Sequence, residues 1–263
     1  GEMYLKGGDT EGAIAEYEKI DDYKSLHQIY ADAGDNVSAL DVLIKGGDLQ
    51  GAGEFCMKTG MYTEAEGIWS KLKNNEMLVE VYLKSKNFVK AIQLLHKSGK
   101  TSEAYDIWVK HCKDHDVLMK DVDYVDTLRK IANRLSKENR NTNAIQIWEL
   151  LEDYRTLASA HEKLGHLENA ATFWRNVGEQ ETNLSEQIKC FSKALELNPD
   201  EADCYSLRGW AYFEDKQYDQ SMTDYNKAIK HDSNNGDNYL SRGLIFIRQD
   251  NREKAIKDFN RAI

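Results

Sequence analysis

The chain is 263 residues long and has a formal net charge of −10, 30% charged residues and a single proline. The acidic balance argues against a nucleic-acid backbone as the main partner, because phosphate recognition requires clustered Lys and Arg. The mean hydropathy is −0.69, and no apolar run approaches the ~18 residues of a membrane span. We therefore expect no membrane insertion.

Composition also predicts an almost wholly helical chain. Leu, Ala, Lys and Glu are abundant, and proline, the residue that interrupts helices most strongly, occurs once. No stretch alternates apolar and polar residues between hairpin turns, as β-strands would. The cysteines lack CxxC spacing and predict reduced, partly buried thiols in a cytoplasmic protein. They are Cys56, Cys112, Cys190 and Cys204.

The first hundred residues repeat with a short period. A small residue recurs every 26 positions, at Ala13, Ala39, Ala65 and Ala91. A large apolar residue follows each of them four positions later, at Tyr17, Leu43, Trp69 and Leu95. The same small-or-aliphatic and large pairing appears halfway between, at Leu26/Tyr30, Ala52/Cys56, Leu78/Tyr82 and Ala104/Trp108. Residues four apart share one helix face, so the pattern predicts helices of about 13 residues including the turn, paired into hairpins.

Glycines precede these helices and predict their turns. Gly8, Gly34 and Gly60 stand five residues before the repeated alanines, with Lys86 at the fourth position. A left-handed residue there would end one helix, and a neighbouring Asp or Asn would cap the next. The glycine pairs in Lys6–Ala13 and Lys45–Ala52 resemble phosphate-binding loops only superficially, since neither follows a predicted strand or carries the GK[ST] sequence.

The 26-residue spacing is interrupted after Ala104 and resumes at Ala144. Apolar residues in the interval predict one amphipathic helix of about twenty residues. They are Val117, Leu118, Val122, Val125, Leu128, Ile131, Ala132 and Leu135. Asn139–Asn143 ends this helix, and the pairs Ala144/Trp148 and Ala170/Trp174 restore the 26-residue spacing.

From Ala202 to Ile263 the period lengthens to 34 residues and the residue class is kept at every repeated position. The first copy has Tyr205, Arg208, Gly209, Tyr212, Ser221, Asp224, Tyr225, Ala228 and Ile229. The second has Tyr239, Arg242, Gly243, Phe246, Ala255, Asp258, Phe259, Ala262 and Ile263. A large residue on the first helix of a hairpin requires a small one opposite, which explains the constant small positions.

These residues resemble the tetratricopeptide repeat family. Tyr205 stands in its tryptophan-like position, Gly209 in the first small position and Tyr212 in the tyrosine position, while Asn198-Pro199 lies where a repeat of this family ends. The short-period portion resembles, in its rhythm, the helical solenoids of coat-type and intraflagellar-transport proteins. The resemblance implies an all-α, right-handed superhelical solenoid of stacked helix-turn-helix repeats whose first helices line a concave surface.

We expect one continuous array with four segments. They are short 26-residue hairpins at 1–113, a long helix and connection at 114–143, resumed hairpins at 144–201 and two regular repeats at 202–263. The chain begins at Gly1 rather than Met and ends at Ile263 within a repeat. From this we expect a fragment of a longer protein.

Few residues are candidates for metal binding or catalysis. His111, Cys112, His115 and Asp116 are the densest group of possible ligands, but the acid expected between the two histidines and a third ligand at a known spacing are missing. A solvated helix end is the simpler interpretation. The sequence offers no nucleophile with a base and no ligand set, so we predict no catalytic residue, no cofactor and no metal.

Two arginines have two interpretations. Arg208 and Arg242 occupy a position where the family usually has leucine, and from there they could bind an acidic peptide. Asp224 and Asp258 follow them by sixteen residues, on the second helix of the same hairpin. An arginine–carboxylate pair inside each repeat explains both residues, so we favour the structural role.

Other features have simple interpretations. Aromatic residues in register, such as the five tryptophans, are typical of contacts between helices, with a ligand platform as the alternative. They are Trp69, Trp108, Trp148, Trp174 and Trp210.

The acidic run is most simply a solvated face, although it would also attract a basic partner segment. It comprises Asp114, Asp116, Asp121, Asp123 and Asp126.

The predicted function is non-catalytic protein–protein binding by a scaffold. Its partner is a protein or peptide, and the groove residues are, by analogy with the family, Ser206, Trp210, Phe213, Leu240, Leu244 and Ile247. The family's co-chaperone members clamp a C-terminal carboxylate with Lys and Asn, whereas the relevant positions here hold Ser206, Leu207, Trp210, Leu240, Ser241 and Leu244. The alternative is a sensor or regulatory arm of a larger protease, kinase or ATPase, in which the repeats contact other domains of the same chain.

Overall fold

The computed structural model describes residues 1–112 and 120–263 and is all-α in these ranges. It forms two compact units, Gly1–Arg134 and Leu135–Ile263. No helix in the described ranges is both long enough and apolar enough to span a bilayer.

The first unit is a succession of short helices, each packed on its neighbours in the chain. They are α1 (Glu2–Lys6), α2 (Thr10–Lys19), α3 (Tyr23–Asp32), α4 (Asn36–Lys45), α5 (Leu49–Thr59), α6 (Tyr62–Lys71), α7 (Asn75–Lys84), α8 (Phe88–Lys97) and α9 (Thr101–His111). The next described helix, α10 (Val122–Lys137), has 16 residues. The boundary between the two units, after Arg134, falls within it. Val117 and Leu118 of the predicted long helix lie outside the described residues.

The second unit contains four helical hairpins after α10. They are formed by α11 (Asn141–Leu150), α12 (Tyr154–Lys163), α13 (Leu167–Gln180), α14 (Leu184–Leu197), α15 (Ala202–Glu214), α16 (Tyr218–His231), α17 (Gly236–Arg248) and α18 (Arg252–Ala262). Consecutive helices pack on each other throughout α11–α18. Both units are thus stacks of helix-turn-helix elements, as the repeats in the sequence predict.

The predicted small residues lie at the points where helices meet. Ala13, Ala39, Ala65 and Ala91 are all fully buried. The large partners on the same helices are buried as well, for example Trp69 and Leu95. The small position therefore lets a neighbouring helix approach, and the large residue four positions later fills the space beside it.

The intermediate helices α3 and α7 differ from the predicted pairing. Tyr30 and Tyr82 are only half-buried, whereas the residues before them, Ile29 and Val81, are buried. Positions i+3 and i+4 both face the same side of a helix, and here the core accepts the aliphatic residue at i+3. The tyrosine at i+4 lies at the edge, where the Tyr82 hydroxyl donates to Glu66 at 3.0 Å.

The turns follow the predicted geometry. Gly8, Gly34 and Gly60 have φ of +77°, +77° and +79°, and Lys86 adopts the same left-handed conformation with φ of +58°. Asp9, Asp35 and Asn87 cap the helices that follow three of these turns, as where Asp35 Oδ1 accepts from the backbone N–H of Ser38 at 3.1 Å. After Gly60 the N-cap residue is Met61, which makes no side-chain cap hydrogen bond. The two Gly-Gly segments are therefore turns between helices rather than phosphate-binding loops.

Candidate functional site

The first helices of the last two hairpins, α15 and α17, expose large apolar side chains. Trp210 is 48% exposed, Leu240 46%, Leu244 45% and Ile247 48%. Trp210 and Leu244 are related by the 34-residue period, and Leu240, Leu244 and Ile247 follow one face of α17. We call Trp210, Leu240, Leu244 and Ile247 the α15–α17 patch.

The other two predicted binding residues are half-buried at the edge of this patch. The Ser206 hydroxyl donates to Asn238 Oδ1 at 2.6 Å and connects α15 to α17. The Phe213 ring meets Tyr218 edge to face, with centroids 5.6 Å apart. The structure therefore brings all six predicted residues to the first helices, with four of them exposed and two engaged in contacts between helices.

The rotation of α15 and α17 explains why the patch faces outward. On another face of each helix, a buried tyrosine and a buried glycine face the second helix, Tyr205 and Gly209 on α15 and Tyr239 and Gly243 on α17. A Cβ added to Gly243 would lie 2.5 Å from the Phe259 ring. Because this contact requires glycine, it fixes which face of α17 is buried and which is exposed.

Each of the two arginines pairs with the aspartate of its own repeat. Arg208 Nε and Nη2 donate to the two carboxylate oxygens of Asp224 at 2.7 and 2.8 Å. Its Nη1 donates to Ser192 Oγ at 2.9 Å. Burial disfavours the charge of the Arg208 guanidinium, but the hydrogen bonds and charge of Asp224 more than compensate and raise its pKa above the ordinary value.

The second arginine repeats this arrangement one period later. Arg242 Nε and Nη2 donate to Asp258 at 2.7 and 2.8 Å, and Nη1 donates to Asn226 at 2.7 Å. The hydrogen bonds that Arg242 donates to Asp258 raise the pKa of Arg242 against the opposing effect of burial. Both guanidinium groups thus use donors on all three nitrogens within the fold. This geometry supports the structural role rather than peptide binding.

The third partners, Ser192 and Asn226, were not predicted. They are 34 residues apart and lie sixteen residues before their arginines, on the second helix of the preceding hairpin. The 34-residue spacing is thus present in the sequence at this position as well, but serine and asparagine differ in class. Each arginine joins its own hairpin to the one before it.

Acidic residues stand at the start of the same exposed face. Asp203 and Asp237 are exposed in the first turns of α15 and α17. Their positions relative to Trp210 and Leu244, seven residues on, place them on the helix face that carries the patch. The counterparts one period earlier, on α13, are the polar residues Asn169, Thr172 and Asn176, so the apolar character begins at α15.

The candidate metal ligands are dispersed. The His111 ring stacks on Phe88 with centroids 4.0 Å apart, and Cys112 is buried. His115 and Asp116 lie outside the described residues. Within residues 1–112 and 120–263, no three His, Cys, Asp or Glu side chains are grouped to hold a metal ion.

The tryptophans divide between core and surface. Trp69, Trp108 and Trp148 are buried, and half-buried Trp174 donates to Glu162 at 2.5 Å. Trp210 is the exposed one of the five.

The described part of the acidic run belongs to the start of α10. Asp121 and Asp123 are exposed, and Asp126 pairs with Lys130 at 2.6 Å. Asp114 and Asp116 are outside the described residues.

Comparison with known proteins agrees with the C-terminal geometry. Family models described as tetratricopeptide repeat match residues 202–235 and 236–263. No curated protein sequence is matched.

Among solved structures, the chain is similar to a crystal structure of MamA, with 23% identity and a TM-score of 0.33, over 64% of this chain and 90% of that one. It is also similar to MamA from Desulfovibrio magneticus RS-1, with 16% identity and a TM-score of 0.34, over 67% and 92%. Both TM-scores are below 0.5, so neither likeness bears on function. The family matches and the 34-residue period agree with the two helical hairpins α15–α16 and α17–α18: residues 202–263 of this chain are two tetratricopeptide repeats.

Proposed function

We propose that the chain is a non-catalytic protein-binding scaffold and that the α15–α17 patch contacts its partner. One observation carries the proposal: four large apolar side chains, each 45–48% exposed, lie on two adjacent first helices. Scattered exposed apolar residues are normal, but a contiguous group is typical of an interaction surface.

The size of the patch limits what it can contribute. Completing the burial of a half-exposed Leu, Ile or Trp is worth about 1 kcal/mol, half the value for full burial. Four such side chains therefore supply about 4 kcal/mol, at the low end of the entropic penalty for association. A stable complex requires further contacts beside the patch, which polar residues at its edge are placed to make.

A pair of aspartate substitutions tests the proposal. Leu244→Asp places a charge in the patch and should abolish capture of partners from native lysate by the tagged full chain. Ile256→Asp is the matched control, because Ile256 is 58% exposed on the second helix α18. Circular dichroism establishes that both variants keep the parent's helical content. Equal capture by the parent and Leu244→Asp would overturn the proposal.

The thiols support a cytoplasmic setting for this function. Cys56, Cys112, Cys190 and Cys204 are all free and buried. Disulfides form readily in secreted proteins, whereas reducing compartments retain free thiols.

A further inference from the structure

We propose, building on the proposed function, that the partner of the α15–α17 patch is a short amphipathic helix with Lys or Arg in its last turn. Three properties of the first-helix face support this partner. They are the length of the apolar stripe, the acidic residues at one end of it and the direction of α15 and α17.

The apolar stripe has the length of two helical turns. Leu240 and Ile247 are seven residues apart on α17, which corresponds to about 10 Å along the helix axis. A helix with apolar side chains at i, i+4 and i+7 presents a stripe of the same length, the pattern typical of a helix bound on an apolar surface. Trp210 on α15 widens the surface, so the apolar stripe of the partner helix can lie against both α15 and α17.

Two carboxylates lie at one end of the stripe. Asp203 and Asp237 are exposed and precede Trp210 and Leu244 by seven residues. Within the described residues, no hydrogen bond or ion pair engages either carboxylate. The chain as a whole has a net charge of −10, so the field at this end favours a cationic partner.

The partner's own helix dipole favours cationic residues at its C-terminal end. Asp203 and Asp237 lie in first turns, at the N-terminal ends of α15 and α17. A partner helix antiparallel to α17 would bring its own C-terminal end to this position. Lys or Arg in its last turn would then interact favourably with its own helix dipole as well as with the two aspartates.

Two synthetic helices of about 18 residues, long enough to form in isolation with helix-favouring residues, test the charge. Both carry Leu at i, i+4 and i+7. One has two Lys in its last turn and the other has two Glu. Fluorescence anisotropy of the labelled peptides with the full chain at low salt should show the Lys peptide binding about five- to tenfold more tightly, as expected from two exposed ion pairs. The difference should shrink in 1 M salt.

Charge reversal on the protein provides the second arm. Asp203→Lys combined with Asp237→Lys should reverse the preference, so that the Glu peptide binds more tightly. The matched control is Asp219→Lys combined with Glu253→Lys. These two acids are also 34 residues apart and lie in first turns, but on the second helices α16 and α18. The control should leave the preference for the Lys peptide unchanged.

The outcomes separate this inference from the proposed function. Equal binding of both peptides, abolished by Leu244→Asp, would overturn the charged partner and leave the patch as a binding surface. Binding of neither peptide, together with capture that Leu244→Asp does not affect, would overturn both. Self-association of the chain that Leu244→Asp dissolves would identify a second copy as the occupant and overturn the inference.

Discussion

Arg208 shows how a single side chain can hold two hairpins together. Its side chain is 16% exposed, and its guanidinium group donates to Asp224, whose side chain is 3% exposed, and to Ser192 on the preceding hairpin. A buried carboxylate requires a partner, because desolvation destabilises an isolated charge. Removing Arg208 would therefore destabilise the fold by leaving the Asp224 carboxylate buried without a cation, and this loss exceeds the net stabilisation that the ion pair provides.

Arg208→Ala should lower the free energy of unfolding by about 3 kcal/mol, because it leaves Asp224 buried without its cation. Urea unfolding followed by circular dichroism measures the loss. The double variant Arg208→Met, Asp224→Leu removes both charges at similar volume and should recover most of the stability. Unchanged stability in Arg208→Ala would show that the pair contributes nothing.

His161 is a second buried polar residue with an unusual neighbour. The residue is 6% exposed, and its Nδ1 lies 3.4 Å from Nδ1 of His166. Burial lowers the pKa of His161, and the charge of His166 lowers it further, against a weaker opposite effect of Glu149. The folded chain therefore takes up this proton less readily than the unfolded chain does.

The sign of the pH effect follows from this lowered pKa. The contribution of His161 to stability is complete above its ordinary pKa near 6.5 and is lost as the pH falls from there toward the lowered folded value. We expect the free energy of unfolding to decrease between pH 7.5 and 5.5. His161→Gln, which does not titrate, should flatten this decrease in urea titrations at the two pH values. An identical decrease in the variant would assign it to other groups.

At the scale of elements, the hairpins of residues 202–263 depend on how closely two helices approach. Gly209 and Gly243 occupy the same position of consecutive repeats, yet their surroundings differ. A Cβ at Gly209 would lie 3.3 Å from the Tyr225 ring, whereas a Cβ at Gly243 would lie 2.5 Å from the Phe259 ring. The α17–α18 hairpin thus has less space at this position than the α15–α16 hairpin.

The two glycines make a matched pair of substitutions. Gly243→Ala should destabilise the chain by about 1 to 2 kcal/mol, because the overpacking penalty exceeds the gain in helix propensity. Gly209→Ala should be close to neutral, since the tyrosine needs to move by only a few tenths of an ångström. Thermal unfolding of the two variants measures the difference, and equal melting temperatures would contradict the distinction.

The hairpins also show how far the sequence could predict the structure. Alanines at constant spacing predicted where helices meet, because only a small residue fits there. Tyr30 and Tyr82 could not be placed, since i+3 and i+4 point to the same side and packing decides between them. The hydrogen bonds from Arg208 to Ser192 and from Arg242 to Asn226 connect neighbouring hairpins. They depend on how one repeat stacks on the next, which the residues of a single repeat do not determine.

The predicted site was limited in a similar way. Repeat positions predicted which residues belong to the first helices, including Trp210 and Leu244. They did not distinguish the exposed Leu240 from Ser206, its counterpart, which is used in a bond to Asn238. Such a contact arises only when two repeats are stacked, and it reduces the area available to a partner on α15.

At the scale of the whole molecule, the distribution of thiols provides a probe of each compact unit. Cys56 and Cys112 lie in residues 1–134, and Cys190 and Cys204 in residues 135–263. Burial raises the pKa of Cys56 to about 11 and that of Cys204 to about 12. Because the thiolate is the reactive form, native thiols should react with a disulfide reagent only after local or global opening.

Arg208→Ala should therefore change the labelling pattern selectively. The substitution weakens the α14–α15–α16 contacts, and in a repeat array stability is a sum of local terms. At pH 8 without denaturant, Cys190 and Cys204 should label faster in the variant than in the parent, while the rate at Cys56 stays the same. Mass spectrometry of the labelled peptides resolves each site. Equal acceleration of labelling at Cys56 and Cys204 would show instead that the chain opens as one cooperative unit. A local change on α15 would then affect Cys56, which takes no part in the α14–α15–α16 contacts.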